Sequence, residues 1–257
     1  MGTLYLVRHG QASLGAEDYD HLSPLGRQQS VRLGEYFRQK GLHFETVLTG
    51  TLRRQVQTYA GICEGMNCVA VLPAAGAELS FAAGPPQGET APSGGSAAHA
   101  VASVGASLLW PGLNEFDSAA LIATVHPHPL PKPDTPERYR RHFQLLRDGL
   151  TQWMAGVVSP QGMPDYREFR QGVTRALDHV RQHCEGDVLI VSSGGPIATA
   201  IGHVLGTSPE ATIELNLRIR NSAITEFAFT PKRHTLLTFN TLPHLEHADH
   251  APWITYA

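Results

Sequence analysis

Four consecutive apolar residues, Leu4-Tyr5-Leu6-Val7, stop abruptly at Arg8-His9-Gly10. An apolar run this short and this unbroken reads as a strand covered on both faces, the pattern of a parallel sheet. The clearest strand of all, Asp187-Val188-Leu189-Ile190-Val191, has the same character and runs into Ser192-Ser193-Gly194-Gly195-Pro196 and then an apolar helix, Ile197 to Leu205. Strands of this kind need helices on both sides. The expected fold is therefore α/β, three-layer α/β/α, with a mostly parallel sheet flanked by helices. In open sheets of this class ligands gather where strand C-termini meet loops. Arg8 and His9 stand at such a place, where small anionic substrates bind. A neutral imidazole attacks phosphorus well, a guanidinium grips non-bridging oxygens bidentately, and Gly10 lets the backbone pass close by. Alternatively the three residues are a polar strand end that only caps a loop.

Composition removes several other classes. The 257 residues carry a net charge of −3, so no Lys/Arg excess exists to neutralise a nucleic-acid backbone. No apolar run approaches the ~20 residues of a membrane span. The first strand begins at residue 3, which leaves no room for a signal peptide. Cys63, Cys68 and Cys184 lack paired spacing, against a disulfide framework or a zinc knuckle. The expected compartment is cytoplasmic, with no nucleic-acid and no membrane partner.

Along the chain, Ser23-Pro24 reads as an N-cap with proline at the first helical position, opening a helix to about Lys40. Thr46 to Thr49 is a second strand, Leu52 to Cys63 a second helix, and Val69 to Leu72 a third strand. From about 73 to 107 the chain turns Ala/Gly/Ser/Pro-rich with few large apolar residues, and reads as a low-complexity insertion. Helices follow at about Glu137 to Gly156 and Pro164 to His183, and Ala223 to Phe229 and His234 to Phe239 read as closing strands. Residues 1–257 are expected to form one α/β domain, with the helices at about 118–160 capping the carboxyl edge of the sheet.

Two further strand ends point the way His9 does. In Thr49-Gly50-Thr51-Leu52-Arg53-Arg54-Gln55, helical spacing lets Arg54 face inward while Arg53 faces outward, unless both are solvated surface residues. In Ser193-Gly194-Gly195-Pro196, free N–H groups at a helix start make an anion site, unless the turn is only a tight one. An imidazole loop, an arginine and a helix N-terminus together suit a phosphoryl group.

With these residues in view, the chain resembles the histidine phosphatase superfamily, which includes the phosphoglycerate mutases. The resemblance rests on Leu6-Val7-Arg8-His9-Gly10-Gln11, on Leu22-Ser23-Pro24-Leu25-Gly26-Arg27-Gln28-Gln29, and on Gly50 to Thr58 with its second arginine at Arg54. It continues through Leu113-Asn114-Glu115-Phe116 with an acidic proton donor at Glu115, Val191 to Pro196, and Asn240 to Leu245. It implies a phosphoglycerate mutase-like fold, catalysis by His9, Glu115, Arg8 and Arg54, and phosphate binding by Arg8, Arg54, Ser193 and Gly194. It further implies a small phosphorylated substrate and no cofactor or metal; a homodimer is common for the resemblance. Two residues depart from the pattern. Ser193 replaces a second active-site histidine of an S-H-G-G turn, and Gly15 replaces an asparagine. Losing one preorganised donor costs about 10²–10³ in rate, which the Ser193 hydroxyl and the helix N–H groups are expected to offset in part.

The expected reaction is phosphomonoester hydrolysis through a phosphohistidine. The alternatives are mutase-type phosphoryl transfer and a catalytically weak phospholigand-binding module. His244, in the C-terminal segment, either reaches the site or is a packing or surface histidine. Metal binding by His126 and His128, or by His244, His247 and His250, lacks a fixed ligand frame.

Overall fold

A computed structural model describes residues 1–13, 20–70, 107–131 and 134–256. Six strands form one sheet: β1 (Gly2–Arg8), β2 (Thr46–Thr49), β3 (Ser107–Leu109), β4 (Val188–Ser192), β5 (Ile224–Thr230) and β6 (Arg233–Thr241), in the order β3-β2-β4-β1-β5-β6. The pairs β3–β2, β2–β4 and β4–β1 are parallel, while β1–β5 and β5–β6 are antiparallel. The sheet is thus mixed, parallel from the β3 edge through β1 and antiparallel from β1 to the β6 edge, and β4 is buried along its whole length.

The helices are α1 (Pro24–Gln39), α2 (Arg53–Met66), α3 (Ser118–Val125), α4 (Pro136–Met154), α5 (Tyr166–His183), α6 (Gly194–Leu205) and α7 (Pro209–Asn216). Alternation along each strand assigns the two faces. Leu4 and Leu6 of β1 and Val188 and Ile190 of β4 pack with Trp153, Phe169, Val173, Ile197 and Ile201 of α4, α5 and α6. Val7, Leu189 and Val191 pack on the other face with Leu33 and Phe37 of α1 and Tyr59 and Ile62 of α2. Two separate cores, one per face, make the three layers. No helix among the described residues is long and apolar enough to cross a membrane.

Local chemistry sets most boundaries. Ser23 Oγ accepts from Gly26 N–H with Pro24 in the first turn of α1, and Asp165 with Glu168 forms a reciprocal capping box at α5. Two expectations need correction. Val69 and Ala70 are irregular, with Val69 largely exposed, so no strand begins there; Val71 and Leu72 lie outside the described residues. The third strand is instead Ser107–Leu109, whose register against Val47–Thr49 comes from sheet pairing rather than from local pattern. Most of the insertion at 73–107, and Gly15, also fall outside the described residues. In α6 the two glycines are not a turn before the helix but its first residues, with Pro196 third.

His244 is fully enclosed and shares a 2.9 Å hydrogen bond with Ser222 Oγ. It packs behind the His9 loop, whose carbonyl accepts from Ser222 N–H. Burial, aided by Arg32 and His250, lowers its pKa to about 3 from an ordinary 6.5. The unfolded chain therefore takes up a proton at this residue below pH 6.5 that the folded chain refuses until about pH 3. Its stabilising contribution is complete above pH 6.5 and is lost as pH falls, by up to about 1.4 kcal/mol per pH unit. Urea unfolding from pH 7 downward is expected to show a shallower loss of stability in His244→Gln than in the wild type; identical slopes would refute the assignment.

Candidate active site

His9 lies just beyond β1 and is 2% exposed. Its Nδ1 stands 2.7 Å from the Gly10 carbonyl oxygen, which can only accept, so Nδ1 carries the proton. Its Nε2 accepts from Arg54 Nε–H at 3.2 Å, a group that can only donate. These contacts fix the tautomer: a neutral ring with the Nε2 lone pair turned toward the guanidinium. Burial, with the charges of Arg8 and Arg54, holds the His9 pKa well below its ordinary value. The ring stays uncharged under mildly acidic conditions.

The loop carrying His9 is held on all sides. His9 N–H donates to the Ser192 carbonyl, the Gly10 N–H donates to Thr58 Oγ1, and Gln11 N–H donates to Gln29 Oε1. This is possible because the loop lies directly on α1. A Cβ on Gly10 would stand 2.3 Å from the Gly26 carbonyl oxygen, and one on Gly26 would stand 2.1 Å from that of Gln11. Backbone against backbone leaves nothing flexible to give way. Gly26→Ala is expected to cost about 3 kcal/mol, a fall in Tm of roughly 6–12 °C, and to displace His9; an unchanged melting curve would contradict this close packing.

Arg54 is 7% exposed and turns inward from the first turn of α2, whereas Arg53 is exposed, as helical spacing predicts. Besides His9, Arg54 Nη1 donates to Asp20 Oδ1 at 2.7 Å, and Asp20 Oδ2 accepts from Arg53 N–H at 2.8 Å. Asp20 thereby fixes both the helix start and the guanidinium. Arg8 differs from expectation. Its Nη1 donates to the backbone carbonyls of Ile219 and Tyr256, so that nitrogen is committed to the rim rather than to a bidentate anion grip. The charge of Arg8 nonetheless acts on both His9 and Glu115.

Glu115 follows a single 3-10 turn, Pro111–Leu113, at the end of β3. The Leu113 carbonyl accepts from Gln55 Nε2 at 2.9 Å and Ser192 Oγ at 2.8 Å, and Asn114 exchanges two hydrogen bonds with Thr51. The carboxylate accepts from Gly195 N–H at 3.0 and 3.2 Å, at the start of α6. A Cβ on Gly195 would stand 2.2 Å from Glu115 Oε1, so only glycine leaves room for that carboxylate. Burial raises the Glu115 pKa, against the lowering effect of Gly195 N–H, Arg54 and Arg8.

Ser193 is fully buried and is the N-cap of α6, yet its side chain makes no capping bond. Its Oγ accepts from Gln55 Nε2 at 2.9 Å instead. The Gly194 N–H, first in the helix, has no helical acceptor. The structure thus gathers His9, Arg54, Glu115, Ser193 and Gly194 with Arg8 at the border. It leaves His244 behind the loop, and His126 and His128 at the far end of α3, where His126 Nδ1 pairs with the His128 carbonyl. Among the described residues no three His, Cys, Asp or Glu side chains cluster as a metal site would require. Asp20 and Gln55 were not foreseen as site residues. Gln55 did leave a signal, a polar residue on the same buried stripe of α2 as Thr58, Tyr59 and Ile62.

An imidazole, a guanidinium and a carboxyl group thus converge at the carboxyl ends of the parallel strands of an α/β fold. Residues 4–83 and 134–242 match the sequence profile of the histidine phosphatase superfamily (branch 1), and the chain belongs to that superfamily. A broad-specificity phosphatase of Saccharomyces cerevisiae is 35% identical over 63 residues, 22% of this chain and 27% of that protein. The chain thus aligns with about a quarter of that relative's length. Among solved structures, Bacillus stearothermophilus YhfR superposes with a TM-score of 0.60 at 16% identity, covering 96% of this chain and all of the other. A phosphoserine phosphatase from Entamoeba histolytica in complex with 3-phosphoglyceric acid gives 0.56 at 20% identity, over 95% of this chain and all of that one. A putative α-ribazole-5′-P phosphatase from Escherichia coli gives 0.55 at 18% identity, over 94% and 98%. At these identities the superpositions establish the fold, which is phosphoglycerate mutase-like.

Proposed function

We propose that this chain hydrolyses phosphomonoesters of small phosphorylated metabolites through a phosphohistidine at His9. The observation that carries this reading is the tautomer of His9, neutral, buried and with Nε2 facing Arg54. In the first step the Nε2 lone pair attacks phosphorus, the phosphorus–oxygen ester bond breaks, and Glu115 gives its proton to the departing oxygen. In the second, water attacks the phosphohistidine while the Glu115 carboxylate takes its proton, releasing phosphate and restoring both groups. Arg54 leaves Nε2 to meet the non-bridging oxygens, with Arg8, Ser193 and the Gly194 N–H completing the cradle. Charge stabilisation and alignment are most of what a loose phosphoryl-transfer transition state needs.

A panel of phosphomonoesters, with trapping of acid-labile radiolabelled phosphate on the protein, tests the scheme. Turnover with label on His9 is the expected result. Tight vanadate binding without turnover on any ester would favour a phospholigand-binding module, the reading that the Ser193 replacement supports. Transfer of the label to a sugar acid rather than to water would favour a mutase.

A further inference from the structure

We infer that Gln55 is a positioning residue that makes Ser193 a hydrogen-bond donor to the bound oxyanion. This rests on the phosphoryl-transfer reading of the site and goes beyond it by naming what directs the Ser193 proton. The orientation of the Gln55 amide is settled by its own partners. Oε1 accepts from Leu52 N–H at 3.2 Å, and Nε2 donates to the Leu113 carbonyl at 2.9 Å. The nitrogen therefore faces Ser193, and Ser193 Oγ, 2.9 Å away, must accept. A hydroxyl has one proton, and among the described residues that of Ser193 meets no acceptor. A fully buried hydroxyl with an unused proton incurs a desolvation cost unless something accepts it.

The surroundings identify the acceptor. β1 and β4 run parallel with Arg8 opposite Ser192, which sets Ser193 beside His9 one residue further on. Gln55 adjoins Arg54, which touches His9 Nε2. Gly194 and Gly195 follow Ser193 directly, and Gly195 holds Glu115. The Ser193 proton thus lies in the space shared by nucleophile, guanidinium and acid, where a phosphoryl oxygen is the fitting acceptor. An N-cap serine would ordinarily turn its oxygen to the helix's own N–H groups; here the oxygen accepts from Gln55 Nε2 instead, which holds the hydroxyl out of the capping position.

Vanadate, a mimic of the pentacovalent state, is the probe, titrated calorimetrically into the 257-residue chain alongside kcat measurements. Ser193→Ala is expected to weaken vanadate binding and lower kcat by about 10²-fold, with a smaller loss of inorganic phosphate affinity. Gln55→Leu should produce the same loss, and the double variant should be no worse than either alone. The Leu113 carbonyl keeps its Ser192 Oγ partner in these variants. Gln55→Glu separates positioning from packing: an ionised carboxylate can only accept, so it captures the Ser193 proton. Vanadate affinity should then fall at neutral pH and recover in acid, where the introduced carboxyl donates again. Wild-type vanadate affinity in Ser193→Ala, losses that multiply in the double variant, or a pH-independent Gln55→Glu would each overturn the inference while leaving phosphohistidine chemistry standing. A wild-type chain that binds no vanadate would overturn both.

Discussion

His9→Ala is expected to lower phosphomonoester turnover by on the order of 10⁵–10⁶-fold, the scale on which loss of a covalent nucleophile is felt, and to abolish labelling of the protein by phosphate. The loss should be this large because nothing else nearby among the described residues can take over. Burial and the charges of Arg8 and Arg54 keep this one ring neutral, and the Gly10 carbonyl keeps its proton on Nδ1. His244, enclosed against Ser222 behind the loop, is not placed to substitute. The variant should stay folded, since the loop is held mainly through backbone groups at His9, Gly10 and Gln11. Retained turnover in a folded His9→Ala protein would end the phosphohistidine scheme.

The second large effect belongs to Glu115 and is read most sharply as a pH profile. The reactive form needs His9 neutral and Glu115 protonated. At ordinary values, 6.5 for the imidazole and 4.5 for the carboxyl, those two conditions barely coexist. Burial moves them toward each other from both sides, lowering His9 and raising Glu115. The expected kcat/KM profile is a bell. Its rising limb follows deprotonation of His9 and its falling limb deprotonation of Glu115. In Glu115→Gln the falling limb should disappear. The rate on alkyl monoesters should drop about 10³-fold, and far less on p-nitrophenyl phosphate, whose leaving group needs no proton. Equal losses on both substrates would show that Glu115 is not the acid.

His9 was marked by local pattern at a strand end, whereas Glu115 was marked only through the family resemblance. β1, β2 and β4 announce themselves as short apolar runs because both faces of a central parallel strand are covered. His9, Arg54 and Ser193 follow at their ends because strand ends open into loops in this architecture. Ser23-Pro24 marked the start of α1 through capping chemistry that needs only neighbouring residues. β3 was missed because three residues carry no period of their own; Ser107–Leu109 is a strand only because β2 offers an edge. The short helix α7 was missed although its Ser208 cap and Pro209 were legible. Asp20 and Gln55 were opaque as site residues, since their roles arise only where α2 docks against the His9 loop and β4.

The sequence by itself determined the alternation of strands and helices, the place of His9 at a strand end and the inward turn of Arg54, all features set by short-range pattern, while Glu115 was marked only through the family resemblance. Tertiary structure alone decided which imidazole nitrogen carries the proton, that Arg8 spends a nitrogen on the Ile219 and Tyr256 carbonyls, and that Gln55 donates to Ser193. Those are facts of hydrogen-bond direction and shared burial between segments up to 248 residues apart. No local pattern encodes them, because each partner's role is fixed only when the other has arrived.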